Sequence, residues 1–408
     1  MKILILVNGF PPEIRSVAHL FYELAESLVN LGHQVTVVTG FPSYAIREVD
    51  KKYRHKLFLR EKMNNVNVIR LATIPLPRTI PMVRTFSHFF EAISFFIGGL
   101  LSRKQDVVLI YSPPLTLGIS GYFLKRLKKI PFFFNMQDVY PQCLIDIGIL
   151  KNPVIIAISR LLEKWVYKRV DYFTVYSDGN KQHLLKNNVP DENIIIIPNW
   201  VDTDTIKPSE RLNNFRRNND LGTSFIVSFA GVMGYAQGLD AVIHSAKIIE
   251  EYKNILFLLV GDGVEKPKLE NMVQEMDLQN VKFLPMQPKH IYPQVLAASD
   301  VCLVTLKGEL KTAIPGKLQS IMASGRPVLA SVDLSGEVPK VIKAAKCGYC
   351  VESDNPEELA KAIINLYEKT NLREKFGKNA RSFAEKHFSR NVCISKYDQA
   401  FFKAVKEF

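Results

Sequence analysis

Short runs of branched and aromatic apolar residues recur along the chain. ILILV, QVTVVT, VNVIRL, VVLIYS, PFFFNM, YFTVYS and NIIIIP fall within residues 1–200, followed by SFIVSFAG, ILFLLVGDG, VKFLP, DVCLVTL and RPVLASV. Such near-continuous runs predict strands buried on both faces, as in a parallel sheet covered by crossover helices. Between several of them the period lengthens to that of a helix, as at 17–30 and 155–169. After about residue 357 the pattern is helical throughout, and the last stretch, VCISKYDQAFFKAVKEF, predicts a helix with one apolar face that docks back on the first domain. The fold class is therefore α/β, with two doubly wound parallel-sheet domains, as 408 residues would require. The boundary is expected near 198–212, where RLNNFRRNND ends a polar, aperiodic segment that predicts an exposed linker. The expected division is 1–203, 204–387 and a terminal helix, 388–408.

Three turns at strand ends carry candidate chemistry. Pro315-Gly316-Lys317 opens a predicted helix that Met322-Ala323-Ser324-Gly325 closes. A helix start offers unpaired N–H groups and the positive end of the dipole, and Lys317 adds a full charge, a combination suited to phosphate. Gly231, Gly234 and Gly238 space a strand-to-helix turn so that a ligand could approach the backbone closely. Gly261-Asp262-Gly263 closes the next strand in the same way. Each turn alone is equally an ordinary βα junction; together, in one domain, they point to a nucleoside diphosphate ligand. Neither a Walker lysine motif nor a DxD pair stands at a strand end, so the expected diphosphate is neutralised by helix dipoles and Lys317, with no metal and no cofactor.

Charge and composition narrow the partners. Residues 1–200 hold 25 Lys and Arg against 15 Asp and Glu, and the remainder 28 against 25. The basic clusters Lys51-Lys52-Tyr53-Arg54 and Lys125-Arg126-Leu127-Lys128-Lys129 lie beside apolar runs. They suit an anionic membrane surface, or merely a solvated helix face, better than a groove in nucleic acid, for which no module is recognisable. The apolar run at 86–101, flanked by Arg84 and Arg103, contains His88 and Glu91 and is too short to span a bilayer. Five scattered cysteines fit a reducing compartment, and the pair Cys347 and Cys350 has no second Cys/His pair to complete a metal site. The start, MKILILVNGF, reads as a buried strand and not as a signal peptide, so a cytoplasmic location, peripheral on the inner face of the plasma membrane, is expected.

The order FPPE, LGHQVTVVT, PNWVD, GYAQGLD, LVGDG, ASDVCLV and PGKLQSIMASGRPV resembles glycosyltransferase family 4 over essentially the whole chain, and most of all its bacterial surface-polysaccharide branch, which includes L-fucosamine transferases. The resemblance implies the GT-B fold, two Rossmann-like domains facing a cleft, with the acceptor in the first and the nucleotide sugar, a UDP-sugar, in the second. It implies transfer with retention, usually without metal, here onto a polyprenyl-diphosphate-linked sugar or other glycan acceptor in O-antigen, capsule or cell-surface polysaccharide synthesis.

The family's two glutamates, eight positions apart, correspond to Thr312 and Ser320; its Arg and Lys on the glycine-rich turn correspond to Val232 and Gln237, and its first-domain histidine to Gln137. Under the resemblance the catalytic candidates are Asp138, Glu13 and Lys317. Asp138 would bind sugar hydroxyls or stabilise positive charge at the anomeric carbon, and Glu13 would orient or deprotonate the acceptor hydroxyl. Donor contacts would come from Arg15, Gly231, Gly234, Gln237, Gly261, Asp262, Gly263, Thr312, Pro315, Gly316, Ser320 and Glu337. As structural residues, Asp138 would cap a turn, Glu13 would be a surface-loop carboxylate and Glu337 a helix-start glutamate. A GT-B nucleotide-sugar epimerase or hydrolase, and a non-catalytic nucleotide-sugar-binding homologue, are the alternatives.

Overall fold

The computed structural model describes residues 1–42, 50–73, 81–146, 148–308 and 310–408, with backbone alone at 81–85, so the Arg84 side chain lies outside the described residues. The chain divides into two compact units, residues 1–198 with 393–408, and residues 199–392.

Unit 1 runs β1 (Lys2–Leu6), α1 (Ser16–Asn30), β2 (Gln34–Gly40), β3 (Phe58–Met63), β4 (Val66–Leu71), α2 (Pro81–Leu101), β5 (Val107–Ser112), α3 (Leu117–Lys128), β6 (Phe132–Met136), α4 (Gln142–Asp146), α5 (Pro153–Tyr167), β7 (Tyr172–Val175), α6 (Asp178–Lys186) and β8 (Ile194–Ile196). Unit 2 runs α7 (Asn214–Asn218), β9 (Phe225–Val232), α8 (Asp240–Ile248), β10 (Ile255–Asp262), α9 (Lys266–Glu275), β11 (Val281–Leu284), α10 (Tyr292–Ala298), β12 (Val301–Thr305), α11 (Gly316–Ala323), β13 (Val328–Ser331), α12 (Glu337–Ala345), β14 (Gly348–Val351), α13 (Pro356–Glu368) and α14 (Thr370–His387); α15 (Arg390–Glu407) follows.

The sheet of unit 1 is ordered β3-β4-β2-β1-β5-β6-β7-β8 and that of unit 2 β11-β10-β9-β12-β13-β14. All pairings are parallel except β3 with β4, which is antiparallel. The sequence expectation omitted β3 and β14: FLREKM alternates exposed and half-buried positions and GYCV is a short, mostly half-buried strand, and both are edge strands without the apolar run that marks the others. In unit 1 the order reverses where β2 and β5 flank β1, and in unit 2 where β10 and β12 flank β9. Ligands of open parallel sheets bind at such reversals, beyond the carboxyl ends of the strands.

Local signals set the helix ends. Asn152 accepts from the N–H groups of Val154 and Ile155 ahead of Pro153, and Asn355 accepts from Glu358 N ahead of Pro356. α1 buries Ala18, Phe21, Leu24, Ala25 and Leu28, a helical stripe against the sheet. A Cβ at Gly121 of α3 would lie 2.4 Å from the Phe132 ring, so only glycine lets that helix come so close to β6.

α15 closes unit 1. Asn135 Nδ2 donates to Tyr397 Oη at 2.8 Å, and the Phe133 and Phe401 rings meet edge-on at 4.9 Å. The Met1 ammonium lies 3.1 Å from His33 Nδ1, which therefore accepts and leaves Nε2–H to donate to Asp398 Oδ1 at 2.7 Å.

The unit boundaries fall five residues from the expected 203/204 and 387/388. Val201 N donates to Phe388 O and Arg390 N to Val201 O, so the crossing strands hold each other inside unit 2. RLNNFRRNND also departs from the expected linker: its middle is α7, with Phe215 and Arg216 buried. Arg216, 2% exposed, ion-pairs with Asp300 at 3.0 Å and donates to Ala298 O, Gly222 O and Ser224 O. Removing one partner of a buried pair strands the other charge. Arg216→Met is expected to lower unfolding stability by about 3 kcal/mol, read as an earlier denaturant midpoint by circular dichroism; an unshifted midpoint would contradict this role.

Candidate active site

In unit 2 the first two turns press backbone against backbone. Gly231 of β9 and Gly261 of β10 stand in register. A Cβ on Gly261 would lie 1.9 Å from Gly231 O, and one on Gly263 would lie 2.3 Å from Met233 O. Asp262 turns its carboxylate onto the N–H of Gly263 (2.8 Å), while its carbonyl accepts from Met233 N (2.8 Å), so this aspartate shapes the turn. Around Gly234 a Cβ would meet nothing within 4 Å, which leaves that part of the turn open.

Lys317 stands in the first turn of α11, whose N-terminus after Pro315 and Gly316 has no side-chain cap. Its Nζ sits 3.7 Å from the centroid of the Phe229 ring and donates to Gln237 Oε1 at 2.5 Å. A Cβ on Gly231 would lie 3.7 Å from the same Nζ. These three partners are a π face, an amide and a glycine, and burial pushes the ammonium down to about 7. The structure thus brings Lys317, Gln237 and Gly231 together at the carboxyl end of β9.

The other donor candidates lie around the loop that precedes α11. Glu337, 6% exposed, starts α12, accepts from Lys340 Nζ at 2.6 Å and donates its N–H to Lys311 O at 2.8 Å. Thr312 is exposed, and Ser320 spends its hydroxyl on Gly316 O at 3.3 Å, one turn earlier in α11. The Tyr292 hydroxyl also bonds Ser320.

In unit 1 the candidates follow β1 and β6, the two strands that flank β5. Arg15 donates to Glu13 Oε2 at 2.6 Å and to Asn8 O. Glu13 is 6% exposed, so it is a buried, ion-paired group and not the surface-loop carboxylate of the plainer reading. Asp138 follows β6; it keeps an open face to solvent, yet protein packs closely enough around it for desolvation to raise its pKa. Its charge reaches Tyr111 of β5 and Cys143, both raised chiefly by burial, the thiol to about 11. Arg15 also acts on Tyr111, which places Arg15, Tyr111 and Asp138 around one end of the sheet. Gln137 donates to Asn135 Oδ1 at 3.0 Å and so joins the hydrogen bonds that hold α15.

Sequence reasoning missed Phe229, Tyr111 and Thr305. Phe229 and Gly231 share one face of β9 by alternation, and that spacing was the available signal. Thr305 ends β12 beside β9, with its Oγ1 buried and without a hydrogen-bond partner. Among the described residues no cluster of three His, Cys, Asp or Glu is placed to hold a metal ion.

Comparison with known proteins matches residues 17–200 to the Glycosyl transferase 4-like domain and residues 210–383 to Glycosyl transferases group 1. The putative colanic acid biosynthesis glycosyl transferase WcaI of Escherichia coli K12 is 24% identical over 97% of this chain and 98% of its own. The probable glycosyltransferase WbjE of Pseudomonas aeruginosa is 24% identical over 77% and 79%. Among solved structures, sucrose-phosphate synthase from Thermosynechococcus elongatus superposes with a TM-score of 0.78 at 18% identity over 100% of both chains. HepE of Anabaena, in complex with UDP, superposes with a TM-score of 0.72 at 16% identity over 99% and 100%.

The contact between the two glycine turns yields a test. Gly261→Ala forces a methyl into Gly231 O and is expected to cost about 2 kcal/mol or more. Thermal unfolding followed by circular dichroism reads this as a lowered Tm, and an alanine variant as stable as the parent would show that the turns are not pressed together.

Proposed function

This chain belongs to the glycosyltransferases of the GT-B fold, and on that premise we propose that it moves a sugar, with retention of configuration and without metal, from a UDP-sugar to a lipid-linked glycan in surface-polysaccharide synthesis. The observation that carries the reading is the Lys317 ammonium, buried among neutral groups beside an uncapped helix start. A diphosphate supplies the counter-charge that none of the described residues provides. The UDP and UDP-glucose complexes of HepE support uridine diphosphate as the leaving group, and the colanic acid assignment of WcaI supports a surface polysaccharide as the product.

In this reading the bond between the anomeric carbon and the diphosphate oxygen breaks as charge moves onto Lys317 and the N–H groups of α11. The acceptor hydroxyl enters on the same face and passes its proton to the departing phosphate oxygen. The same reading gives Asp138 of unit 1 the sugar hydroxyls and the Glu13–Arg15 pair of unit 1 the acceptor hydroxyl.

The lipid-linked acceptor is supported by one face of unit 1. α2, α3 and α5 pack side by side, with Phe96 against Phe123 at 6.0 Å and Tyr122 against Trp165 at 5.2 Å. Their outer surface exposes Phe86, Ile93, Ile97, Leu127, Ile158 and Leu161, with exposed cations such as Arg126 and Lys168 nearby in sequence. Exposed apolar side chains with cations close by in sequence suit the surface of an anionic bilayer. Among the described residues no helix is long and apolar enough to cross one, and the proposed station is peripheral, on the cytoplasmic face.

Two measurements test the donor site. Lys317→Ala is expected to lower kcat/KM at least about a hundredfold, on the order of 3 kcal/mol of transition-state stabilisation, with the circular dichroism spectrum unchanged; near-parental transfer would overturn the assignment. With its pKa held near 7, Lys317 is largely neutral in the free protein at pH 8, and a bound diphosphate favours the ammonium. UDP binding at pH 8 should therefore take up a proton, seen by titration calorimetry as a heat that depends on buffer ionisation enthalpy, and a heat independent of buffer would count against the pairing.

A further inference from the structure

At the amino end of the unit 1 sheet, away from Glu13, Arg15 and Asp138, lies a cavity of about 330 Å³. It is lined by the first residues of β1 and β2, part of β3 and β4, and the segment from Leu101 to Gln105 that joins α2 to β5. Three of its cations, Lys2, Arg103 and Lys104, are exposed, and among the described residues their side chains form no ion pair or hydrogen bond. The carboxylate in the lining, Glu61, is already taken by Arg70 at 2.5 Å and Lys52 at 3.3 Å. The cavity therefore holds uncompensated positive charge.

A second observation makes it more than a basic surface. Gln105 lines the cavity, is 4% exposed, and its Oε1 is buried without a hydrogen-bond partner. A phosphate oxygen cannot satisfy that acceptor, but the other end of the amide, Nε2, forms no hydrogen bond among the described residues and is the end that can donate to an oxyanion. The segment beside it is fixed: Arg60 Nη2 donates to Leu101 O at 2.9 Å, and Lys128 Nζ donates to Ser102 O at 3.1 Å.

The cavity adjoins the apolar helix. Leu101, half-exposed, lines it and ends α2, whose 21 residues span about 30 Å back along the sheet. A bilayer lying along α2 would meet the cavity mouth at the helix carboxyl end. We propose that this cavity seats the phosphate of an anionic phospholipid headgroup, with Lys2, Arg103 and Lys104 supplying charge and Gln105 the directional hydrogen bond. The site fixes how unit 1 lies on the membrane, and it rests on the membrane part of the function proposed above.

The test is co-sedimentation of the full chain with phosphatidylcholine vesicles, with and without phosphatidylglycerol. The parent should pellet only with phosphatidylglycerol. Arg103→Gln with Lys104→Gln should weaken that binding about twentyfold, near fivefold for each cation at the surface. Gln105→Leu keeps the charge and should weaken it severalfold; if that variant fails to fold by circular dichroism, the double variant decides. Lys361→Gln with Lys375→Gln removes the same charge from unit 2 and should bind as the parent does. Equal binding by the cavity and control variants would overturn the site, as would stabilisation by inorganic phosphate in a protein that ignores the vesicles. UDP titration of the same variants separates the two readings, because loss of UDP binding by the parent sinks the transferase site and leaves the headgroup cavity standing or falling on the vesicles alone.

Discussion

An ammonium ion surrounded by a ring face and an amide oxygen has lost much of its water without gaining a counter-ion. Among the described residues Lys317 is in that condition, 3.7 Å above Phe229 and 2.5 Å from Gln237. A cation–π contact recovers only part of what desolvation removes, which is why burial lowers this lysine so far. A carboxylate in place of Gln237 would stabilise the free protein and fill the place an anionic ligand needs. The neutral amide leaves the charge for the ligand, and α11 adds its uncapped N–H groups in the same direction.

The sheets put that charge where it can be used. In each unit the strand order reverses beside the first strand, and the loops on either side of the reversal splay apart beyond the carboxyl ends. In unit 1 the reversal delivers the Glu13–Arg15 pair after β1 and Tyr111 at the end of β5, with Asp138 one strand further on. In unit 2 it delivers the glycine turns after β9 and β10. Turns that touch through Gly231 O and Gly261 have no room for side chains, so their approach depends on the residue type as much as on the strand pairing.

Much of this was legible in the residues. The buried strands announced themselves as apolar runs, and Pro315-Gly316-Lys317 opened its helix where the pattern placed it. What stayed hidden had a common cause: its meaning depended on distant partners. β3 alternates because it is an edge strand. α7 looks like a linker until Asp300, far along the chain, pairs with Arg216. Phe229 reads as core because nothing local says that a lysine 88 positions later will lie on its ring. Gln137 stands where the family resemblance puts a histidine, but its tie to Asn135 depends on that residue's partner in α15, which no local pattern could reveal.

The last helix has a consequence for how the chain is made. Asn135 donates to Tyr397, 262 residues downstream, and His33 meets Asp398 across a still longer interval. A ribosome therefore finishes the whole of unit 2 before it delivers the piece that completes unit 1. Until then the nascent N-terminal half carries an open seam beside Phe133, apolar and hydrogen-bond hungry. The order of synthesis makes the first unit the last to close.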